Sequence, residues 1–287
     1  MTVLAQARRL TIRFGALAAV DSVDLAVEGG EVVGLLGANG AGKTTLIRLL
    51  LGLLRPSGGE ALLFGALPSM DTRRRVGYVS QTLGLYDDMT VEENWTFTSA
   101  AFGSGRPAMP ASISASSDEL VGTLPLGVQR RVAFAVAFSH GPELLVLDEP
   151  TSGVGPLSRA RLWQDVRDSA EHGTGILVTT HNMEEAAQCD RLVVMVGGRV
   201  AADGTVAEVI ASRTVVEVVC DDWRKAFAVL DGAGLVVQVQ GEVLRVPGST
   251  DQVAALLSGH DLGVRLAVVP ANLEEAFVSI VSPPPRR

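Results

Sequence analysis

Val32-Val33-Gly34-Leu35-Leu36-Gly37-Ala38-Asn39-Gly40-Ala41-Gly42-Lys43-Thr44-Thr45-Leu46-Ile47-Arg48-Leu49-Leu50-Leu51-Gly52-Leu53 passes from one apolar run, through a glycine-rich turn, into a second. Val32–Leu36 has the length and content of a buried strand. Lys43–Leu53 reads as a buried helix, stopped by Arg55-Pro56-Ser57-Gly58-Gly59. The turn between them, Gly37 to Thr44, matches G-x4-G-K-[ST] and sits between a strand and a helix, as that motif requires. Glycines let successive backbone N–H groups turn inward around phosphate oxygens, and the helix N-terminus adds its positive dipole end. Lys43 then reaches the outer phosphates, and the Thr44 hydroxyl is placed for Mg²⁺.

Two further buried strands are expected at Leu144–Leu147 and Ile176–Val178, each with polar residues at its carboxyl end. In open α/β sheets that is the edge where ligands bind. The first strand delivers Asp148 and Glu149, a metal-linked acid and an acid suited to polarising a water. The second leads to Thr179-Thr180-His181, which puts a histidine one strand beyond Glu149. Strands alternating with helices imply an α/β domain with a largely parallel sheet, and the phosphate-binding motif within it makes the expected fold class that of a P-loop NTPase.

Between these strands, Thr90-Val91-Glu92-Glu93 is a capping box opening a helix to about Phe102. Ser104–Ser117 reads as loop, and an apolar helix is expected over Val128–Ser139. Leu83, Leu85, Tyr86 and Met89 are apolar in a segment that otherwise reads as surface turn, which suggests a partner-binding patch. Beyond Asp203-Gly204 the composition shifts. Val215–Val219, Leu235–Val239, Val243–Val246 and Val264–Val269 read as strands, Trp223–Leu230 and Gln252–Ser258 as helices, and Asn272–Ile280 as a last helix. The expected organisation is a nucleotide-binding domain over 1–210 with a helical subdomain at about 82–140. A small α+β appendage follows over 211–282, with a frayed tail at 283–287.

Over 287 residues the net charge is −8, apolar residues make up 47% and charged residues 20%. This composition excludes a disordered chain, and the acidic balance without a basic stripe argues against nucleic acid as a partner. Cys189 and Cys220 alone cannot form a disulfide framework and fit a reducing compartment. No apolar stretch approaches the roughly 18 residues of a spanning helix, and the N-terminus lacks a signal peptide's pattern.

Phosphate loop, acid pair and histidine, with Gln81 in Gly77-Tyr78-Val79-Ser80-Gln81, occur in one order from about Leu10 to Gly204 that resembles the ABC transporter ATPase family. The resemblance implies ATP and Mg²⁺ as ligands, with the loop residues from Gly37 to Thr45 around the phosphates. It implies that Phe14 stacks on adenine with Val20 beneath the base. Gln81 then contacts Mg²⁺ and the attacking water, together with Thr44 and Asp148 as metal-site residues. Glu149 matches the catalytic glutamate and His181 the histidine that touches the γ-phosphate. The implied partners are transmembrane permease subunits and a second nucleotide-binding subunit, which places the chain at the cytoplasmic face of a bacterial membrane. The ending Pro270–Ile280 is similar to that of bacterial ATPases driving drug, antibiotic or polysaccharide export.

Three departures qualify the match. Where the family has Leu-Ser-Gly-Gly-Gln, this chain has Leu124-Pro125-Leu126-Gly127-Val128, so Leu126 and Gly127 remain at a helix start while Pro125 offers neither hydroxyl nor N–H. Gly155 stands where the family has an aspartate. Only 42 residues separate Gln81 from Leu124, where the family usually places another helix or two, so a small or loosely ordered subdomain is expected. An exporter ATPase is the reading these features favour. The alternatives are a weakly hydrolysing member of a heterodimer and a soluble ABC ATPase acting on ribosomes or DNA; the absence of tandem units and heptad runs speaks against the latter.

Overall fold

A computed structural model describes residues 2–103, 105, 108–211 and 213–281. It divides into two compact units between Asp203 and Gly204, somewhat before the expected boundary at residue 210.

The first unit opens with strands β1 (Val3–Phe14) and β2 (Leu17–Glu28), joined through Gly15 at a positive φ of 59°. Strand β3 (Val32–Leu36) is buried throughout and leads through the glycine turn into helix α1 (Lys43–Leu50). Strand β4 (Gly58–Leu63) pairs antiparallel with β1, giving a three-stranded sheet of order β2-β1-β4. A single turn α2 (Met70–Arg73) precedes β5 (Val76–Val79). The helices α3 (Val91–Phe102), α4 (Ala111–Ser114) and α5 (Leu126–Phe138) come next. The chain then continues with β6 (Leu144–Asp148), α6 (Pro156–Glu171), β7 (Gly175–Thr180), the short α7 (Met183–Ala186), β8 (Arg191–Val196) and β9 (Arg199–Gly204).

Continuous aliphatic runs such as Leu144–Leu147 and Leu192–Met195 suit strands covered on both faces. They build a six-stranded sheet of order β5-β6-β7-β3-β8-β9, in which β5, β6, β7, β3 and β8 run parallel. The carboxyl ends of β3, β5, β6 and β7 therefore emerge along one edge, carrying Gly37, Gln81, Asp148 and His181 respectively. Helix α1 is fixed beneath that edge by Leu46, Ile47, Leu49 and Leu50. All four are essentially free of solvent, in a core shared with β1, β2 and β4. Each such side chain contributes about 1.5–3 kcal/mol by leaving water.

The helical insertion differs from expectation in three respects. One turn of helix, α4, lies inside the segment read as loop (Ser104, Arg106 and Pro107 fall outside the described residues). Its Ile113 packs with Val91, Trp95, Val121, Leu124 and Val132, so the short insertion has an apolar core of its own. Helix α5 starts at Leu126 rather than Val128, with Pro125 as N-cap at φ −57°. Lastly, Leu83 is buried and Leu85 packs against the insertion's core, leaving Tyr86 as the exposed apolar residue of that turn. The buried Asn94 accepts from the Tyr86 N–H at 2.9 Å and donates to the Tyr86 carbonyl at 3.0 Å, which turns the segment inward. The capping box at Thr90 forms as read, with Glu93 accepting from the Thr90 N–H at 2.8 Å.

The second unit comprises α8 (Val206–Ile210), β10 (Thr214–Val219), α9 (Trp223–Gly232), β11 (Gln238–Gln240), β12 (Val243–Pro247), α10 (Thr250–Leu257), β13 (Arg265–Pro270) and α11 (Leu273–Val281). Its antiparallel sheet has the order β11-β12-β10-β13. Strand β11 starts later than expected because Leu235 and Val237 turn onto the core instead of joining the ladder. The expected tail, 283–287, lies outside the described residues.

A buried ion pair holds α11 to this sheet. Arg245 on β12 donates to both carboxylate oxygens of Glu275, at 2.6 and 3.0 Å, and to Glu217 on β10 at 2.5 Å. Removing one partner of such a pair strands the other charge away from water. Glu275→Ala should therefore destabilise the second unit by roughly 3 kcal/mol. Hydrogen exchange checks this: protection in β10 and β12 should fall accordingly, while β3 and β6 keep theirs.

Candidate functional site

The glycine turn takes its shape from close backbone approaches. A Cβ on Gly37 would stand 2.7 Å from the Met195 carbonyl oxygen, and Gly42, at φ 103°, would drive one into the Ala19 carbonyl. Gly42 is also the N-cap of α1, and no side chain caps that helix start. The first turn of α1 thus presents its N–H groups towards the cleft without an internal acceptor.

Lys43 is 5% exposed. Its Nζ donates to the carbonyls of Gly37 at 2.7 Å and Ala38 at 3.2 Å, and lies 3.9 Å from Glu149 Oε1. Burial pushes its pKa down, and the charges of Glu149 and Asp148 oppose that shift. Across the cleft His181 Nδ1 stands 3.6 Å from the same Glu149 oxygen. The structure therefore brings Lys43 and His181 onto one carboxylate, that of Glu149.

Asp148 is 1% exposed, and its Oδ1 accepts from Thr44 Oγ1 at 3.2 Å and Thr179 Oγ1 at 2.7 Å. Its Oδ2 is buried without a hydrogen-bond partner. A buried carboxylate oxygen left open beside a threonine hydroxyl is the donor chemistry of a hard divalent cation. These residues fit Mg²⁺ when it is completed by phosphate oxygens and water. Among the described residues no group of three or more His, Cys, Asp or Glu could hold a metal ion by itself.

Glu149 has a positive φ of 49°, a conformation that costs a non-glycine residue about 1–3 kcal/mol unless its surroundings enforce it. They do so from both sides. The Glu149 N–H donates to Thr179 Oγ1 at 2.8 Å, and its carbonyl accepts from Arg130 Nη1 at 3.0 Å. Next in the chain, Thr151 donates to the buried Glu185 carboxylate, which also accepts from Thr180 Oγ1 at 2.8 Å. One carboxylate thus ties the turn after the acid pair to the turn bearing His181.

A cleft of about 350 Å³ opens beside Lys43 and Glu149, lined by Asn39 to Thr45, Gln81 and Glu149, with Leu17, Ala18, Ala19, Gly197 and Gly198 on its far wall. That wall departs from expectation. Val20 is fully buried, paired with Ile12 on the core side of the β1–β2 ribbon, and does not face the cleft. Ala18 and Ala19 take that position, while Phe14 is half-exposed at the hairpin end opposite Leu17. Gly198 donates to the Ala41 carbonyl at 3.0 Å and tolerates no Cβ beside Ala19. The adjacent glycines between β8 and β9 were the sequence signal for this close approach. Leu126 and Gly127 are not part of the cleft; Leu126 is exposed at the start of α5 and rests against Gly153.

Comparison with known proteins agrees with this fold. The ABC transporter family model, ABC_tran, matches residues 20–152. Nod factor export ATP-binding protein I of Burkholderia lata is 37% identical over 290 residues, covering 95% of both chains. The probable multidrug ABC transporter ATP-binding protein YbhF of Escherichia coli K12 is 41% identical over 212 residues; this chain matches 37% of its length. Among solved structures, an ATP-binding subunit of an ABC transporter aligns with TM-score 0.67 and 29% identity over 72% of this chain and 91% of that one. A dimeric ATP-binding cassette in a post-hydrolysis state with ADP and Pi shares the fold, with TM-score 0.61, 22% identity and 70% of this chain covered (98% of its own). The chain belongs to the ABC transporter family and is of its ATP-binding subunit class.

Lys43→Ala should remove the cation that faces the phosphates and lower ATP affinity at least tenfold in a mant-ATP titration. Equal affinities of mutant and wild type would rule out the Gly37–Thr45 loop as the phosphate site.

Proposed function

We propose that this chain hydrolyses Mg·ATP as one of two paired nucleotide-binding subunits and thereby drives export through separate transmembrane subunits, at the cytoplasmic face of the membrane. The observation that carries the chemistry is the Glu149 carboxylate, held between His181 at 3.6 Å and Lys43 at 3.9 Å at the mouth of the phosphate loop.

In this reading the N–H groups of the loop and of α1 hold the α- and β-phosphates, and Lys43 exchanges its loop carbonyls for outer phosphate oxygens. Thr44 and Asp148 hold Mg²⁺, with Gln81 closing the site from the end of β5. The metal, when bound, offsets charge on the β- and γ-phosphates. Glu149 accepts a proton from the attacking water, and His181 orients the γ-phosphate beside it. Phe14 covers the adenine from the open hairpin end, together with Leu17. Leu126, Gly127 and the N-terminus of α5 serve the nucleotide of the second subunit.

Export is supported by the relatives, which are named for multidrug and Nod factor export. Among the described residues no helix is long and apolar enough to cross a membrane. In this reading the translocation path belongs to other chains. Tyr86 and Phe97, each about half exposed and stacked edge to face at 5.2 Å, mark the contact with those chains. Cysteine placed at Tyr86 should crosslink to a transmembrane subunit in membranes. Crosslinks forming only elsewhere on the first unit would contradict that contact.

A second reading has its own observation. Pro125 caps α5 with no side-chain hydrogen bond and lacks the hydroxyl and N–H of the family's serine, and Gly155, which caps α6, lacks the carboxylate of the family's aspartate, so this chain brings fewer polar groups to the partner's side than the family pattern supplies. Pairing with a better-equipped subunit fits that deficit.

The hydrolytic reading is tested by Glu149→Gln, which keeps the shape but cannot accept a proton. ATP binding should persist while single-turnover hydrolysis slows by roughly 10²–10⁴-fold. An unchanged rate would assign water activation to another group.

A further inference from the structure

Helix α5 carries a guanidinium whose placement is unusual for a structural residue. Arg130 is 6% exposed, and among the described residues no carboxylate oxygen stands within ion-pair distance of it, though the charge of Glu149 acts on it from further off. Its Nη1 donates to two main-chain carbonyls, Glu149 at 3.0 Å and Pro150 at 2.8 Å, and its Nε has no hydrogen-bond partner. Burying a cation on carbonyls alone is a poor way to stabilise a fold, since an apolar side chain of similar size avoids the desolvation. What the arrangement does achieve is local. Of the four residues Asp148 to Thr151, Glu149 alone has a positive φ, and Arg130 grips the carbonyl at its far end while Thr179 grips its N–H. The Ser152 N–H reaches the same Glu149 carbonyl only at 3.3 Å, so Arg130 makes the shorter contact.

We propose that Arg130 is a positioning residue for hydrolysis: from the helix that begins at Leu126 it holds the strained backbone of Glu149, and so aims the Glu149 carboxylate at the nucleotide bound by its own chain. The proposal rests on the reading of Glu149 as the group that activates water. It gives α5 two duties. Its N-terminus faces the partner's nucleotide, and one turn further on Arg130 acts on the site in cis. A rotation of α5 on binding the partner would pull the Glu149 carbonyl with it, so closure and cleavage are linked mechanically through a single side chain.

The geometry specifies the substitutions. One nitrogen serves both carbonyls, so a lysine ammonium can replace it, whereas methionine keeps the bulk and removes the donor. In the full-length protein, R130M should leave the mant-ATP affinity within about twofold of wild type and slow single-turnover hydrolysis about 10- to 100-fold, as expected when a reacting group is displaced by a fraction of an ångström to an ångström. R130K should restore the rate to within about fivefold of wild type. If R130M does not fold, R130K still decides the matter, because a larger loss with the cation retained contradicts the proposal.

The double variant with Glu149→Gln separates this proposal from the one beneath it. If Arg130 works through Glu149, R130M should slow the residual hydrolysis of Glu149→Gln by less than about twofold. Additive losses would mean that Arg130 acts elsewhere, and equal losses in affinity and rate would mean a general structural role. Either result overturns the proposal. A Glu149→Gln variant that hydrolyses at the wild-type rate would overturn the assignment of Glu149 itself.

Discussion

Lys43 sits almost wholly out of water with its ammonium turned back onto the carbonyls of Gly37 and Ala38, and the acids at the end of β6 face it across a narrow cleft. A buried cation of this kind needs compensation, and two carbonyls with a carboxylate at 3.9 Å supply only part of it. A polyphosphate would supply the rest. The surrounding structure keeps that demand in place. α1 is locked by its aliphatic face, and Gly37 and Gly42 bring the loop against Met195 and Ala19 so closely that no side chain fits. The Gly198 turn clamps the loop from the outside.

The second half of the site is built on the opposite principle, strain held by neighbours rather than charge held by burial. Asp148 ends a fully buried strand and is fixed by Thr44 and Thr179. One residue later the chain enters a conformation disfavoured for glutamate, restrained by Thr179 on one side and Arg130 on the other. Thr179 serves both acids, so the β6 and β7 ends act as one piece. Glu185 extends that piece to the turn bearing His181.

How much of this was legible in the sequence depended on range. The glycine turn between β3 and α1 was readable because its pattern is local: glycine spacing, lysine and threonine sit within eight residues between two apolar runs. Asp148, Glu149 and His181 were readable once parallel strands were assumed, because parallel strands put their carboxyl ends on one edge. Arg130, Thr179 and Glu185 were not, since their partners lie 19, 31 and 34 residues away and nothing local marks them. Val20 failed for a different reason. Its side follows from the β1–β2 register, which shifts several times along the ribbon, and a ribbon with such shifts cannot be read by simple alternation. The insertion's core went unseen because Ile113 sits in a segment of Ala, Ser and Pro that looks like loop, and only tertiary packing gives it a role.

The central claim is that the loop and the acid strand form a single Mg·ATP site, with the open Asp148 Oδ2 turned to the metal. Calorimetric titration of ATP with and without Mg²⁺, on wild type and Asp148→Asn, tests it most directly. Asparagine keeps the size and one acceptor but loses the charge that answers the cation. Mg²⁺ should strengthen ATP binding to the wild type and do so far less, or not at all, in Asp148→Asn, while metal-free ATP affinity is equal or slightly higher in the variant. An undiminished Mg²⁺ effect in Asp148→Asn would contradict the account.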